Sequence, residues 1–200
     1  MASVGYDGQM LLWKENQTYQ IIHSVKSTQS MNCVSFFPEN YGLKVVCGSI
    51  DGNLYVVEYN ENSRTFKQTQ FKAHNAGVTC VDVVEMNGKA VIVSGGVDCV
   101  IKVFDFDGKN WSSIYEVKEH DEWLRSVSCG MKRGAMYVVS ADVACVVVSK
   151  IEENALKFVQ KIDVNGKVQK VQLNGDVLAL CTEDGVEMWK LIDEKFVKEE

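Results

Sequence analysis

The sequence predicts an all-β protein, built as an open and incomplete β-propeller of about 4.5 four-stranded blades. Three observations lead to this prediction. A short pattern centred on an aspartate recurs at a nearly constant spacing, strand-like runs of alternating apolar residues accompany each copy, and helical periodicity is almost absent. These features assign residues 1–200 to a single repeat domain.

The recurring pattern consists of small residues, an aspartate, often a glycine, and then an alternating apolar run. It occurs five times at spacings of 44, 47, 44 and 42 residues, which are typical of a propeller blade with four strands. Its aspartates are Asp7, Asp51, Asp98, Asp142 and Asp184.

The residue after each aspartate predicts the turn that joins two strands. A type I′ hairpin turn needs positive φ angles at both central residues, so an Asp-Gly pair between apolar runs predicts a hairpin. Gly8, Gly52 and Gly185 supply the glycine in three copies. Cys99 and Val143 replace it in the other two, where we expect a longer turn or a turn of another type.

A second element lies upstream of four of the aspartates and has the pattern of a short strand with one inward face. It predicts inner strands at 31–36, 78–83, 124–129 and 168–173. The first copy has no such element, so we expect the chain to begin in the second strand of a blade. The predicted units are a partial blade at 1–23 and blades at about 24–71, 72–118, 119–162 and 163–200.

Two copies carry a histidine before the inner strand. The pairs His74/Asp98 and His120/Asp142 lie 24 and 22 residues apart, and each is either a hydrogen-bonded structural pair or a catalytic dyad. Recurrence at the same phase of the repeat favours the structural interpretation, because a catalytic pair is normally built once. Since no paired carboxylates or nucleophile next to a base accompany them, we predict no catalytic residues and no enzyme activity.

The composition excludes several classes of protein. Hydrophobic residues make up 46% and charged residues 24%, with a single proline, which excludes a disordered or collagen-like chain. The net charge of −6 argues against a surface that binds nucleic acid. Because no apolar run approaches 18 residues and no signal-peptide pattern follows Met1, we expect neither a membrane span nor a signal peptide.

The seven cysteines are spread along the chain, with no two closer than 14 residues. Structural zinc sites usually contain a close cysteine pair, so this spacing predicts no metal site. Most of the cysteines lie in valine-rich runs, and we expect buried, unreactive thiols in a reducing compartment. No residue pattern indicates a cofactor.

A histidine before the inner strand and an aspartate in the next hairpin turn resemble the WD-repeat family. In that family the two side chains are hydrogen-bonded within a blade, together with a Ser or Thr. The terminal aromatic residue of the repeat is present as Trp13, Phe104 and Trp189, whereas Val57 and Val148 replace it elsewhere. The resemblance implies structural roles for His74, Asp98, His120, Asp142, Asp7, Asp51 and Asp184.

The repeats resemble one branch of that family more closely. The segments that carry this resemblance are YDGQMLLWKE at 6–15, FFP at 36–38, CGSIDG at 47–52, AH at 73–74 and HDEWLR at 120–125. They are similar to the SEC13 family, the scaffold propellers of eukaryotic vesicle coats and nuclear pores. The resemblance covers most of residues 2–130 and is weaker over 131–165.

The resemblance implies a propeller that is left open between its first and last blades and is closed by a β-blade donated by a partner chain. The implied partners are a SEC31-like subunit of the COPII outer coat and a helical nucleoporin of the Y complex, with no direct nucleic-acid contact and no membrane insertion. The implied locations are the cytoplasmic face of the endoplasmic reticulum, COPII vesicles and the nuclear pore. Another WD-repeat adaptor, such as a SEH1-type nucleoporin, is the alternative.

The chain departs from the family pattern at its start. Aligned by motif, Met1 falls in the middle of the family's second blade, so we expect the first blade and one inner strand to be missing, as in a truncated or a reduced member. An open sheet edge presents unpaired backbone groups that a partner strand can satisfy. We therefore expect partner binding at the outermost strands of the last unit and at the opening strand, with Val186, Met188, Trp189, Ser3 and Val4 as contacts.

Trp123 follows His120 in the loop before an inner strand. It either packs between neighbouring blades, which is the preferred interpretation, or lies on a face that binds a partner.

Overall fold

The computed structural model describes residues 1–152 and 155–199, and these form five antiparallel sheets. The prediction of an open, all-β propeller is confirmed. Within the described ranges the only helical segment is a 3₁₀ turn at Glu39–Tyr41, and no helix has the length and apolarity needed to cross a bilayer. Residues 153, 154 and 200 belong to predicted blades but lie outside the described residues.

Consecutive strands pair within each sheet, so every sheet is an up-and-down meander. The first sheet contains β1 (Ala2–Val4), β2 (Gln9–Asn16) and β3 (Thr18–Lys26). The second contains β4 (Met31–Phe36), β5 (Lys44–Ser49), β6 (Asn53–Asn60) and β7 (Thr65–Lys72). The third contains β8 (Val78–Met86), β9 (Lys89–Gly96), β10 (Ile101–Phe106) and β11 (Trp111–Val117). The fourth contains β12 (Ser126–Lys132), β13 (Ala135–Ala141), β14 (Cys145–Glu152) and β15 (Ala155–Asp163). The fifth contains β16 (Val168–Asn174), β17 (Val177–Thr182), β18 (Gly185–Ile192) and β19 (Lys195–Lys198).

The sheets stack face to face, and each junction between consecutive sheets encloses its own apolar cluster. Successive side chains of a strand point to opposite faces, so neighbouring residues enter different clusters. Val45 packs towards the first sheet and Val46 towards the third. Likewise Val138 packs towards the third sheet and Val139 towards the fifth. Continuous apolar runs in the second strands of these blades are therefore required to cover both faces.

The first and last sheets show a different pattern of burial. The central strands β5, β9 and β13 are buried along almost their whole length, whereas β2 and β17 alternate between buried and half-buried residues. Alternation is typical of a sheet with only one covered face. The four innermost strands lie side by side in the order β4, β8, β12 and β16. The result is an arc of blades whose two terminal sheets each keep an open face.

A chain of hydrogen bonds crosses the innermost strands. Asp82 of β8 accepts the backbone N–H of Cys129 (2.9 Å) and the hydroxyl of Ser128 (3.3 Å), both on β12. Its other carboxylate oxygen accepts the hydroxyl of Ser35 on β4 (3.4 Å). Ser128 in turn accepts the N–H of Leu173 on β16 (3.1 Å). The side chains of Ser35, Asp82 and Ser128 thus connect the inner strands of four sheets.

The strand bounds differ from the predicted units by a few residues. The boundary predicted between 23 and 24 lies inside β3, which continues to Lys26 and contains a β-bulge opposite Leu12/Trp13. β7 ends at Lys72 and β15 at Asp163, each one residue beyond the predicted boundary. Leu124 and Arg125 precede β12 instead of beginning it.

The hairpin turns differ from the prediction in type and at one position. None of the aspartates of the three Asp-Gly pairs has the positive φ that a type I′ turn requires, so that turn type is wrong. Cys99 adopts φ 62°, and its N–H bonds the carbonyl of Gly96 as that of Gly52 bonds Ser49. The turn after Asp98 therefore keeps the conformation that a glycine adopts elsewhere, so the expected change of turn at Cys99 is wrong. A non-glycine residue in this region carries a modest steric cost, which the rest of the hairpin offsets.

Replacing Asp82 should destabilise the whole arc. The D82A variant would leave the buried N–H of Cys129 without its acceptor and separate β8 from β12. We expect a loss of about 2–3 kcal/mol in the free energy of unfolding, the range for hydrogen bonds to charged groups. Chemical denaturation followed by circular dichroism measures this loss.

Asp105→Ala is the matched control, because Asp105 forms a surface ion pair with Lys89 (3.0 Å). Such pairs contribute about 0–1 kcal/mol. Equal effects of the two substitutions would contradict the assignment of Asp82 as the link between blades.

Candidate functional site

His74 is the centre of the first predicted polar cluster. Its Nδ1 lies 2.9 Å from Oδ1 of Asp98 in the β9–β10 turn, and its Nε2 lies 2.8 Å from the hydroxyl of Ser94 on β9. The second Asp98 oxygen accepts the backbone N–H of Asn75 (3.1 Å). The cluster therefore attaches the loop before β8 to the hairpin of the same sheet.

His120 repeats this arrangement in the next sheet. Nδ1 lies 2.8 Å from Oδ2 of Asp142, and Nε2 lies 2.9 Å from the hydroxyl of Ser140. Oδ1 of Asp142 accepts the N–H groups of Ala144 (2.7 Å) and Cys145 (2.8 Å), which shape the β13–β14 turn. The structure thus brings together both histidine–aspartate pairs, each at the same place in its blade.

Burial and hydrogen bonding set the protonation of these groups. Removal from water lowers the pKa of His74, against the opposing effect of the Asp98 carboxylate. Burial alone would raise the pKa of Asp142, but hydrogen bonds from His120, Ala144 and Cys145 lower it below its usual value. The side chain of Cys145 is a thiol, because burial and the neighbouring Asp142 raise its pKa to about 11.

The two clusters have the connectivity of a Ser–His–Asp catalytic triad, in which one imidazole nitrogen faces the serine and the other the aspartate. Ser94 and Ser140, however, are 0% and 1% exposed. A nucleophile at such a position cannot reach a substrate. The geometry therefore supports hydrogen bonding within the blade, and it offers no accessible group for acyl transfer.

The cluster is replaced in the other described sheets. In the second sheet the hydroxyls of Ser27 and Tyr55 meet at 3.2 Å in a buried contact, while Asp51 accepts the N–H and the side-chain amide of Asn53. In the last sheet Val164 stands four residues before Val168, as His74 stands before Val78. Val164 packs into the apolar cluster there. An apolar or hydroxyl contact therefore takes the position of the histidine.

Asp7 and Asp184 lie in hairpin turns without a histidine, where Asp7 accepts hydrogen bonds through its side chain and Asp184 donates one from its backbone. Asp7 accepts the backbone N–H of Gln9 (3.0 Å) and its side-chain amide (3.0 Å). The N–H of Asp184 bonds the hydroxyl of Thr182 (3.2 Å). Both residues therefore act within single turns.

The strand predicted to form the partner-binding edge of the last unit is not at the edge of its sheet. β18, which carries Val186, Met188 and Trp189, is the third strand of its sheet and pairs with both β17 and β19. The prediction of an outermost strand is therefore wrong, since the short β19 adds beyond it. Val186 and Met188 nevertheless remain 66% and 40% exposed on the open face, whereas Trp189 packs against the apolar cluster.

The opening strand β1 is the terminal strand of its sheet, as predicted, and it pairs there with β2, while its side chains Ser3 and Val4 make internal contacts. Ser3 accepts a hydrogen bond from the indole N–H of Trp13 (2.9 Å). Val4 packs into the cluster between the first and second sheets. Both side chains therefore contribute to their own blade, because β1 occupies the position that β5 has in the second sheet.

Trp123 lies in the loop before β12, and its side chain is 62% exposed. It lines a shallow cavity of about 420 Å³ together with Ile50, Thr79 and Val97. The preferred interpretation of Trp123 as a packing aromatic between blades is wrong, because the loop 118–125 presents the ring outward. Leu124, the next residue, fills that interior position instead.

The seven cysteines are free thiols, and Cys47, Cys80, Cys129 and Cys145 are buried. Burial raises the pKa of Cys47 and Cys80 to about 12, which agrees with unreactive thiols. Sequence reasoning missed the proximity of Cys145 to His120 and the bridging role of Asp82. The available signals were a cysteine three residues after a repeat aspartate and an aspartate inside an inner strand.

The sequence is similar to a known repeat family and to several known proteins. Residues 65–105 match the family model described as "WD domain, G-beta repeat". Protein transport protein SEC13-2 of Candida glabrata is 30% identical, over 95% of this chain and 72% of that protein. SEC13 of Coccidioides immitis is 29% identical over 64% of this chain and 49% of that protein. The SEC13 homolog of Drosophila melanogaster is 27% identical over 71% of this chain and 46% of its own length.

The His74 cluster predicts a pH dependence of stability. The pKa of His74 is lowered from 6.5 in the folded state, so the unfolded chain binds the proton more readily. This contribution to stability is complete above about pH 6.5 and falls as the pH drops below that value towards the folded pKa. Urea midpoints measured at pH 7.5 and pH 5.0 should show a smaller decrease for His74→Gln than for the wild type.

His23 also has a pKa lowered by burial, so the pH dependence should be reduced in that variant and not abolished. If the urea midpoint of His74→Gln fell between pH 7.5 and pH 5.0 by as much as that of the wild type, the role assigned to His74 would be contradicted.

Proposed function

The chain belongs to the SEC13 family, and we propose that it is a non-catalytic scaffold subunit of the COPII outer coat and of the Y complex of the nuclear pore. The observation that carries the proposal is the match to protein transport protein SEC13-2 along 95% of the chain. The chain spans about half of the other two relatives, so the assembly described here is inferred for this protein.

A scaffold role fits the chemistry of the described residues. Both Ser–His–Asp clusters are buried and fully used in holding hairpins together. Protein transport coats need rigid subunits that position other chains, and stacked sheets with close-packed junctions supply rigidity. The proposed locations are accordingly the cytoplasmic face of the endoplasmic reticulum, COPII vesicles and the nuclear pore.

The open face of the last sheet supports a partner that donates a β-blade. Four apolar side chains are exposed on β18 and β19: Val186, Met188, Ile192 and Val197. Covering apolar area contributes about 25 cal/mol per Å², which favours a partner sheet on this face. The partner we propose is a SEC31-like coat subunit or a helical nucleoporin, whose donated blade would stack on this face as the neighbouring sheets of the arc stack on one another.

Lysines border the same face. Lys190 pairs with Val177 and Val197 across the sheet, and Lys170 lies opposite Cys181. A donated blade with an apolar centre and acidic residues at its margin would therefore complement this surface in shape and charge.

Charge substitutions on the open face should abolish partner binding without unfolding the arc. In the double variant Val186→Lys/Met188→Lys, two ammonium groups would be buried against the donated blade. We expect the affinity for the SEC31-like subunit or the nucleoporin to fall by about 30-fold or more, the effect of losing a hot spot of about 2 kcal/mol. Titration calorimetry with purified partner measures the change.

Ile114→Lys is the control, because Ile114 is 40% exposed on β11, the outermost strand of an interior sheet. Circular dichroism should show both variants folded. If the double variant bound the partner with full affinity, the open face would not be part of the interface. If the Ile114 variant also lost binding, the loss of affinity would not be specific to the open face.

A further inference from the structure

The second polar cluster contains a third group that its counterpart lacks. The Sγ atom of Cys145 lies 3.3 Å from Oδ2 of Asp142 and 3.8 Å from Nδ1 of His120, while those two atoms are 2.8 Å apart. All three residues are buried, and one potential ligand atom from each lies within 4.8 Å of the others. Nitrogen, oxygen and sulfur donors therefore converge on one point.

These separations approach the geometry of zinc coordination. Zinc binds imidazole nitrogen and carboxylate oxygen at about 2.0–2.2 Å and thiolate sulfur at about 2.3 Å, so tetrahedral ligand atoms lie about 3.3–3.6 Å apart. The Sγ–Oδ2 distance of 3.3 Å lies at the lower limit of that range, and the Sγ–Nδ1 distance of 3.8 Å lies just above it. Opening the single His120–Asp142 hydrogen bond by less than about 1 Å would admit the ion.

The surrounding hydrogen bonds accommodate an ion at this point. Oδ1 of Asp142 already accepts two backbone N–H groups, which leaves Oδ2 to face the histidine and the thiol. Zinc at Nδ1 requires the imidazole proton on Nε2, which faces the hydroxyl of Ser140 (2.9 Å). The oxygen of Ser140 can accept a hydrogen bond from that Nε2–H group, because its own hydroxyl hydrogen can be donated to the carbonyl of Val147 (3.3 Å).

The cluster lies next to a surface turn. The ligands His120 and Asp142 flank the β13–β14 turn, in which Ala144 is exposed. On binding, the thiol of Cys145 would lose its proton to solvent, since the thiolate is the form that coordinates metal. Three protein ligands with one open position is a common arrangement in zinc proteins.

We propose that His120, Asp142 and Cys145 form a binding site for a single zinc ion. The site would stabilise the β13–β14 hairpin when zinc is bound. The His74 cluster serves as an internal comparison, because it has the same histidine, aspartate and serine but Ile101 as the third residue after the aspartate. Zinc affinity should therefore depend on the sulfur atom and not on the His–Asp pair.

The test is a titration of the purified, chelator-treated full chain with Zn²⁺ by calorimetry, with Co²⁺ as a spectroscopic probe. We expect one Zn²⁺ per chain and a thiolate-to-cobalt charge-transfer band. The Cys145→Ala variant keeps the hydrogen bonds of His120 to Asp142 and Ser140. It should lose the band and bind Zn²⁺ about 100-fold more weakly or worse, since even outer partners of a metal site contribute up to about that factor.

Cys47→Ala is the matched control, because Cys47 is an equally buried thiol in another sheet. It should bind zinc like the wild type. The proposal is overturned if the wild type binds no Zn²⁺ at micromolar concentrations, if Cys145→Ala binds as tightly as the wild type, or if two ions bind per chain. The last result would assign binding to both His–Asp pairs, and the wild-type titration decides the matter even if a variant fails to fold.

Discussion

The architecture depends on one requirement, that each interior sheet be covered on both of its faces. A four-stranded meander cannot cover its own two faces, so each apolar face must be buried against a neighbouring sheet. The alternate assignment of Val45 and Val46 to different apolar clusters shows how one strand serves two junctions at once. Where the stacking stops, at β2 and β17, burial becomes alternating and a sheet face remains open.

Polar side chains add two kinds of link to this apolar frame. Asp82 and Ser128 join inner strands of different blades near the axis, where backbone groups of neighbouring sheets approach each other. The His74 and His120 clusters act within a blade and attach the loop before the inner strand to a hairpin turn. The second and last sheets manage without a histidine, because Ser27–Tyr55 or apolar packing holds the same loop. The clusters therefore refine individual blades, and the stacking of faces determines the fold.

The same division separates the surfaces available for assembly from the chemistry inside the blades. The open face of the last sheet is apolar and bordered by lysines, as expected for a surface that another sheet covers. The potential ligands around Cys145 are instead buried beside the β13–β14 turn of the fourth sheet. Binding at one location would leave the contacts at the other intact, so assembly and ion binding are physically independent features of the chain.

The sequence by itself determined the repeat, the strand-rich class, most hairpin turns and both histidine–aspartate pairs, because these features depend on local spacing within one blade. Only the tertiary structure decided that Trp123 points outward, that Ser3 bonds Trp13, and that β19 lies beyond β18. It also brought Cys145 beside His120 and placed Asp82 between Ser35 and Ser128. Strand periodicity tells which residues share a face, but not which neighbouring sheet, loop or turn meets that face. Those contacts join residues that are distant in sequence, either within one blade or between blades, and only the folded chain brings them together.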